Sequence, residues 1–156
     1  MKEISKEDIV ENGDNRDISK INYLRIFDQK ITKMKNLDLI PQVKIINVSH
    51  NQITDIENLS KCVELRELNL SHNLISSVNT YSFDANKFLS SMNLGFNQIE
   101  TFTAIAPMQR LQILNLENNQ LTSIEFMSSL KDLRILNLSF NQIKKIDPIN
   151  YLGKVP

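Results

Sequence analysis

Residues Leu111–Asp132 read LQILNLENNQLTSIEFMSSLKD, an L-x-x-L-x-L-x-x-N-x-L string followed by Ile124, Met127 and Leu130 at three-residue steps. At Leu133 the string begins again. A fixed period of this size sets the whole architecture. One unit cannot bury its apolar face alone, so neighbouring units must stack.

Working outward, copies of the unit start at Ile21, Val43, Leu65, Leu89, Leu111 and Leu133, spaced 22, 22, 24, 22 and 22 residues apart. In each copy an apolar pair at i, i+2 puts two side chains on one face of a short strand. Successive strands are expected to stack in parallel, about 4.8 Å apart. The chain must then leave the strand, and an amide side chain there can satisfy backbone groups that the strand no longer pairs. Asn51, Asn73, Asn97, Asn119 and Asn141 fill that place and predict a buried polar ladder. Gln29 takes it in the first copy.

The return segments repeat as well. Leu37 and Ile40, Leu59 and Cys62, Ile105 and Met108, and Met127 and Leu130 each precede the next start by six and three residues. A three-residue step suits a 3-10 or short α turn on the outer wall. The third return carries two extra residues, places Phe83 at the apolar position and puts Asn86 where another apolar residue would stand. A local bulge is expected there.

Residues 1–17 depart from the period. Ser5 and Asp8 have capping-box spacing ahead of Ile9 and Val10, which predicts a short helix over about residues 5–11. Such a helix, with a turn at Asn12–Asn15, would cover the first repeat as an N-terminal cap. Repeats occupy 18–156. Ile146, Ile149 and Leu152 continue the last return, and Val155 falls at the first position of a seventh repeat. No C-terminal cap is visible. The expectation is a fragment of a longer protein or an exposed strand edge open to association.

These units resemble leucine-rich repeats. The 22-residue copies with an I-x-x-I-x-x-L return resemble the short subfamily typified by the nuclear regulatory subunit of protein phosphatase 1. The 24-residue unit around Phe83 resembles the longer typical class. The resemblance covers residues 18–152 and implies an α/β solenoid. That solenoid is a right-handed horseshoe with a parallel sheet on its concave face and 3-10 or short helical turns on its convex face. Members include phosphatase regulators, a spliceosomal subunit, axonemal light chains and acidic nuclear phosphoproteins. They share an arc-shaped protein-binding surface.

Composition narrows the class. Hydrophobic residues make up 41% of the chain, with only 3 Gly and 4 Pro, which fits repetitive globular structure better than disorder. Lys plus Arg equals Asp plus Glu at 18 each, which argues against a general binder of nucleic acid or membrane surfaces. Cys62 is the only cysteine, so no intramolecular disulfide can form. The N-terminus has no apolar signal-peptide core, and no apolar run is long enough to span a bilayer. These features point to an intracellular protein, cytoplasmic or nuclear.

The residues between the repeat leucines should face outward in columns. One is Tyr23, Ile45, Glu67, Ser91, Ile113, Ile135; the next is Arg25, Asn47, Asn69, Asn93, Asn115, Asn137. A third runs Phe27, Ser49, Ser71, Gly95, Glu117, Ser139, and beside it lie Asp28, His50, His72, Phe96, Asn118, Phe140. Tyr23, Phe27, Ile45, Phe96, Ile113, Ile135 and Phe140 are large apolar groups on the solvent side, the mark of a protein-binding patch. Against this, such residues suit strands in any case, and Phe96 and Phe140 could fold down beside the Asn ladder. The Asn column offers amides to a peptide backbone, unless those amides bond one another or face water. With Arg25, Glu67 and Glu117 these residues form the expected partner-binding face.

His50 and His72 should be close, yet lack a carboxylate or thiol partner for a metal. Cys62 sits at an apolar return position, as a small core residue does. Nucleotide, hydrolase and thiol-redox motifs are absent from the sequence. Four N-x-S sequons begin at Asn47, Asn58, Asn69 and Asn137, three of them on concave strands where a glycan would obstruct the face. The expectation is therefore a non-catalytic scaffold or regulatory subunit, without cofactor or metal, gripping a protein. The alternative is a subunit of a ribonucleoprotein or of a cytoskeletal, ciliary or centrosomal assembly.

Overall fold

The alternation of apolar and polar residues after each repeat start gives a three-residue strand with its central side chain turned inward. In the computed structural model, residues 1–103 and 108–144 are described, residues 80 and 81 by backbone alone. Ile105, Ile146, Ile149, Leu152 and Val155 lie outside the described residues. Six of the strands are β2 (Tyr23–Arg25), β4 (Ile45–Asn47), β5 (Glu67–Asn69), β7 (Ser91–Asn93), β9 (Ile113–Asn115) and β10 (Ile135–Asn137). They form one parallel sheet in the order β10-β9-β7-β5-β4-β2. The register is unbroken: Tyr23 pairs with Ile45, Ile45 with Glu67, Glu67 with Ser91, Ser91 with Ile113, and Ile113 with Ile135. The chain is a parallel-sheet solenoid, as the period predicts.

Past the strands the main-chain ladder continues. Leu70 N–H donates to Asn93 O at 2.8 Å, and His72 N–H to Gly95 O at 3.0 Å. The Asn ladder then closes each coil onto the one before it. Asn73 Nδ2 donates to Leu70 O within its own repeat (3.0 Å) and to Val48 O of the preceding one (3.1 Å). Its Oδ1 accepts from Ile53 N at 3.0 Å. Asn51, Asn97, Asn119 and Asn141 repeat this pattern. Each amide thus fills backbone vacancies in two repeats at once. Buried and unmade, such groups would destabilise the fold by about 1–3 kcal/mol apiece. Gln29 reaches the other way, donating to Asn12 Oδ1 at 3.2 Å.

The core is a continuous column running from Ile4 and Ile9 to Leu133. The strand centres Leu24, Ile46, Leu68, Met92 and Leu114 feed it from one side. The returns feed it from the other, as 3-10 turns at Leu37–Leu39, Thr80–Phe83 and Glu125–Ser129. Phe126 joins Met127 in the core, its ring 4.6 Å from Phe102. In the 24-residue unit Phe83 is fully buried. Asn86 is buried too, because its Nδ2 donates to Leu59 O (3.1 Å) and Cys62 O (2.8 Å) of the preceding return. A polar side chain in an apolar slot is tolerated because it ties two returns together, although its Oδ1 has no partner among the described residues.

Sequence periodicity does not reveal two small strand pairs on the outer wall. β1 (Lys2–Glu3) pairs with β3 (Ile31–Lys33), and β6 (Ser77–Val78) with β8 (Thr101–Phe102). The helix α1 (Lys6–Asn12) follows β1. Ser5 and Asp8 make a reciprocal capping box, with Asp8 N–H to Ser5 Oγ at 3.0 Å and Ser5 N–H to Asp8 Oδ2 at 2.9 Å. Burial works to raise the Asp8 pKa. The bonds from Ser5 and the charge of Lys2 outweigh it and hold the carboxyl below its ordinary range. Gly13 then passes so close to the first repeat that a Cβ would lie 2.6 Å from Ile21 Cδ1 and 2.8 Å from Ile9 O. That approach lets Asp14 N–H reach Tyr23 O at 2.9 Å and blunts the β2 edge.

Candidate functional site

The outer side chains of the six strands form one surface in the predicted register. Its first column carries Tyr23, 36% exposed, Ile113, 42%, and Ile135, 58%, with Ile45 partly covered between Tyr23 and Glu67. A depression of about 390 Å³ lies over β2 to β7, lined by Tyr23, Ile45, Glu67 and the amides of Asn47, Asn69 and Asn93. The apolar groups Ile113 and Ile135 sit outside it, toward the other end of the sheet.

The Asn column does something that composition alone does not reveal. Each Oδ1 accepts the backbone N–H two residues on, at 2.9–3.1 Å: Asn47 from Ser49, Asn69 from Ser71, Asn93 from Gly95, Asn115 from Glu117 and Asn137 from Ser139. These are Asx turns that end the strands. The amides do not bond one another along the stack. Asn137 Nδ2 is held by Glu117 Oε2 at 3.1 Å. Thus the acceptor half of each amide is structural, and only the donor half, partly engaged at Asn137, is left for a ligand. Gly95 fits here because a Cβ would stand 3.2 Å from Asn115 Nδ2 and 3.3 Å from Asn93 Oδ1.

The column Asp28, His50, His72, Phe96, Asn118, Phe140 is left-handed throughout, with φ between 52° and 58°. This backbone places the side chains along one rim, and the rings stack. Phe27 lies 4.7 Å from His50, His50 lies 4.0 Å from His72, and His72 lies 4.3 Å from Phe96. Arg25 sits 5.5 Å above Phe27 and extends the stack. Phe96 and Phe140 do not fold down beside the Asn ladder; Phe140 is 78% exposed. His72 is pulled below its ordinary pKa, first by partial burial and then by the charge of His50. Among the described residues no cluster of three metal-ligating side chains occurs.

The opposite rim contains a site absent from the columns between the leucines. Arg66, Phe88, Ser90, Arg110, Gln112 and Asp132 line a cleft of about 540 Å³, with the Arg110 guanidinium 5.2 Å above the Phe88 ring. Phe88 and Arg110 each stand one residue before a repeat start, a place the strand pattern passes over. Their recurrence at that place in consecutive repeats is the signal that could have found them. Cys62 is buried and donates to Leu37 O at 3.5 Å. Burial, reinforced by the Asp38 charge, pushes its thiol up to about 12, so it stays neutral and inert near pH 7. No helix of the described residues is long and apolar enough to cross a membrane.

Comparison with known proteins agrees with this geometry. A structure of internalin C2 from Listeria monocytogenes is 26% identical, with a TM-score of 0.73 over 88% of this chain and 60% of that one. Toll-like receptor 13, solved in complex with a single-stranded RNA, is 25% identical, with a TM-score of 0.72 over 80% of this chain and 19% of that one. The Drosophila Toll–Spätzle complex, at 18% identity and a TM-score of 0.74, shares the fold over 83% of this chain. The chain spans less than two thirds of each of these proteins. No curated protein matches the sequence at a significant level. The profile of paired leucine-rich repeats matches residues 41–83 and 109–151, and a second leucine-rich-repeat profile matches 63–121. With more than half of its length matched in the observed register, the chain belongs to the leucine-rich-repeat family.

Proposed function

We infer that this protein is a non-catalytic interaction module, a scaffold or regulatory subunit that grips one protein partner across the concave sheet. The observation that carries this is the exposed apolar column of Tyr23, Ile113 and Ile135, in strict register on a sheet face that no other segment covers among the described residues. Large apolar groups gathered on a rigid face mark binding surfaces. The partner would meet Tyr23, Arg25, Phe27, Ile45, His50, Glu67, His72, Phe96, Ile113, Glu117, Ile135 and Phe140. The Asn47, Asn69, Asn93, Asn115 and Asn137 donors would orient its backbone.

The I-x-x-I-x-x-L returns support placement in the short subfamily resembling the phosphatase regulator, with the unit around Phe83 of the longer class. An intracellular setting fits the buried, neutral Cys62. It also fits the sequons at Asn47, Asn69 and Asn137, where a glycan on Nδ2 would fill the face.

The test is the double variant Ile113→Glu with Ile135→Glu, compared with the parent chain in affinity capture read by mass spectrometry. Both side chains are exposed, so the melting temperature should hold while the captured partners vanish. Recovery of the same partners at the same abundance would exclude the concave face as the site.

A further inference from the structure

The rim at the start of the strands has a chemistry of its own. Lys44, Arg66 and Arg134 each immediately precede a strand, and Arg110 precedes the fifth repeat start. All four are exposed. Glu64 and Asp132 are the acidic residues among them. The ion pairs among the described residues are Lys2–Asp8 and Lys20–Asp17, neither on this rim. Among the described residues, therefore, no ion pair neutralises the arginines. Arg110 is also held in place, its guanidinium lying 5.2 Å above Phe88. A guanidinium packed on a ring loses less freedom when its N–H edge takes up an anion. Arg66 faces the same cleft of about 540 Å³ from two strands away. At a strand spacing of about 4.8 Å the two strands that carry them stand roughly 10 Å apart.

Resting on the concave-face reading, we propose that the partner segment is acidic, and that its carboxylates dock on Arg66 and Arg110 beside Phe88 while its apolar side chains cover Ile113 and Ile135. Charge complementarity selects this occupant. A nucleic-acid backbone carries a continuous row of phosphates and would run past Glu67, Glu117 and Asp132 on a chain of zero formal net charge. Discrete carboxylates can meet two arginines and avoid those acids. Asp132 lines the same cleft and would repel carboxylates placed beside it.

The experiment is a displayed library of random peptides selected on the full chain. Survivors are then measured against Arg66→Gln/Arg110→Gln and, separately, Ile113→Glu/Ile135→Glu, with melting curves to verify folding. The expected survivors are rich in Asp and Glu and bind the arginine double variant at least about tenfold more weakly, a loss that shrinks at high salt. Survivors without acidic enrichment, equal binding to the arginine variant, or no survivors at all would each overturn the proposal. So would tighter binding of oligouridylate than of any peptide, with a steep salt slope that the arginine substitutions abolish. Dependence on the isoleucines without dependence on the arginines sinks the acidic-segment proposal and keeps the concave reading. The reverse keeps the rim and sinks the floor.

Discussion

Two ladders run side by side along this solenoid, one residue apart in sequence. The inner ladder is Asn51, Asn73, Asn97, Asn119 and Asn141, the same residue in every repeat after the first, where Gln29 stands. The outer ladder is Asp28, His50, His72, Phe96, Asn118 and Phe140, and its chemistry changes from repeat to repeat. Their backbones are equally regular. The inner side chain is constrained by buried donors and acceptors on both sides, and only an amide of that length satisfies them all. The outer side chain meets only its neighbours along the rim and its own left-handed backbone, which favours Asn, Asp or Gly. Asp28 and Asn118 follow that preference. Phe96 and Phe140 go against it, at a cost of about 1–2 kcal/mol each. Uniformity marks architecture; departures from backbone preference mark the residues whose substitution tests the proposed face.

The sharpest way to break the contrast is Asn97→Ala. It would strand the Ile75 N–H and remove one of two amide donors from Leu70 O and from Leu94 O, which keep Asn73 and Asn119. Urea unfolding should show a loss of about 2 kcal/mol, with one buried N–H left unsatisfied and two carbonyls each short of one donor. A loss below a third of that would mean that water replaces the amide and the inner ladder is dispensable.

Phe140→Asn probes the outer ladder and should go the other way. The ring is 78% exposed, so little packing is lost, and an Asn relieves the left-handed strain. The same urea titration should register a gain of about 1 kcal/mol. Destabilisation would show that Phe140 holds the fold and is not displayed for a partner.

The smallest effect concerns pH. His72 is lowered from its ordinary 6.5 in the native state, so on acidification the unfolded chain takes up its proton first. The His72 contribution is complete above about pH 6.5 and declines as pH falls through that value toward the lower native one. A second proton on the His50–His72 stack adds repulsion at 4.0 Å between rings. The unfolding midpoint should fall modestly from neutral to mildly acidic pH, and His72→Asn should flatten that slope. An unchanged slope in the variant would place the dependence on other groups.

Most of the fold was legible because its determinants repeat. The strand register, the inner ladder and the capped helix at Ser5 follow from spacing and side-chain chemistry. Residues that act once were not legible. β1 pairs with β3 through two residues, too short to show a period. The left-handed column was hidden because His and Phe are poor indicators of that backbone. Asn86 looked misplaced until its bonds to Leu59 and Cys62 showed what it joins. At the candidate face, the columns came from the register. The use of each strand-end Asn oxygen and the cleft at Phe88 and Arg110 depend on side-chain directions that spacing does not encode.

The inner ladder also has a direction. Each Asn reaches back to the carbonyls and N–H of the repeat before it, so a coil is completed by the coil that follows. During synthesis the N-terminal repeats leave the ribosome first. Each waits about one repeat's worth of translation, of order a second or more, before its closing amide arrives. A solenoid that folds as it emerges therefore carries one unfinished coil at its growing end, with backbone groups waiting for the next amide.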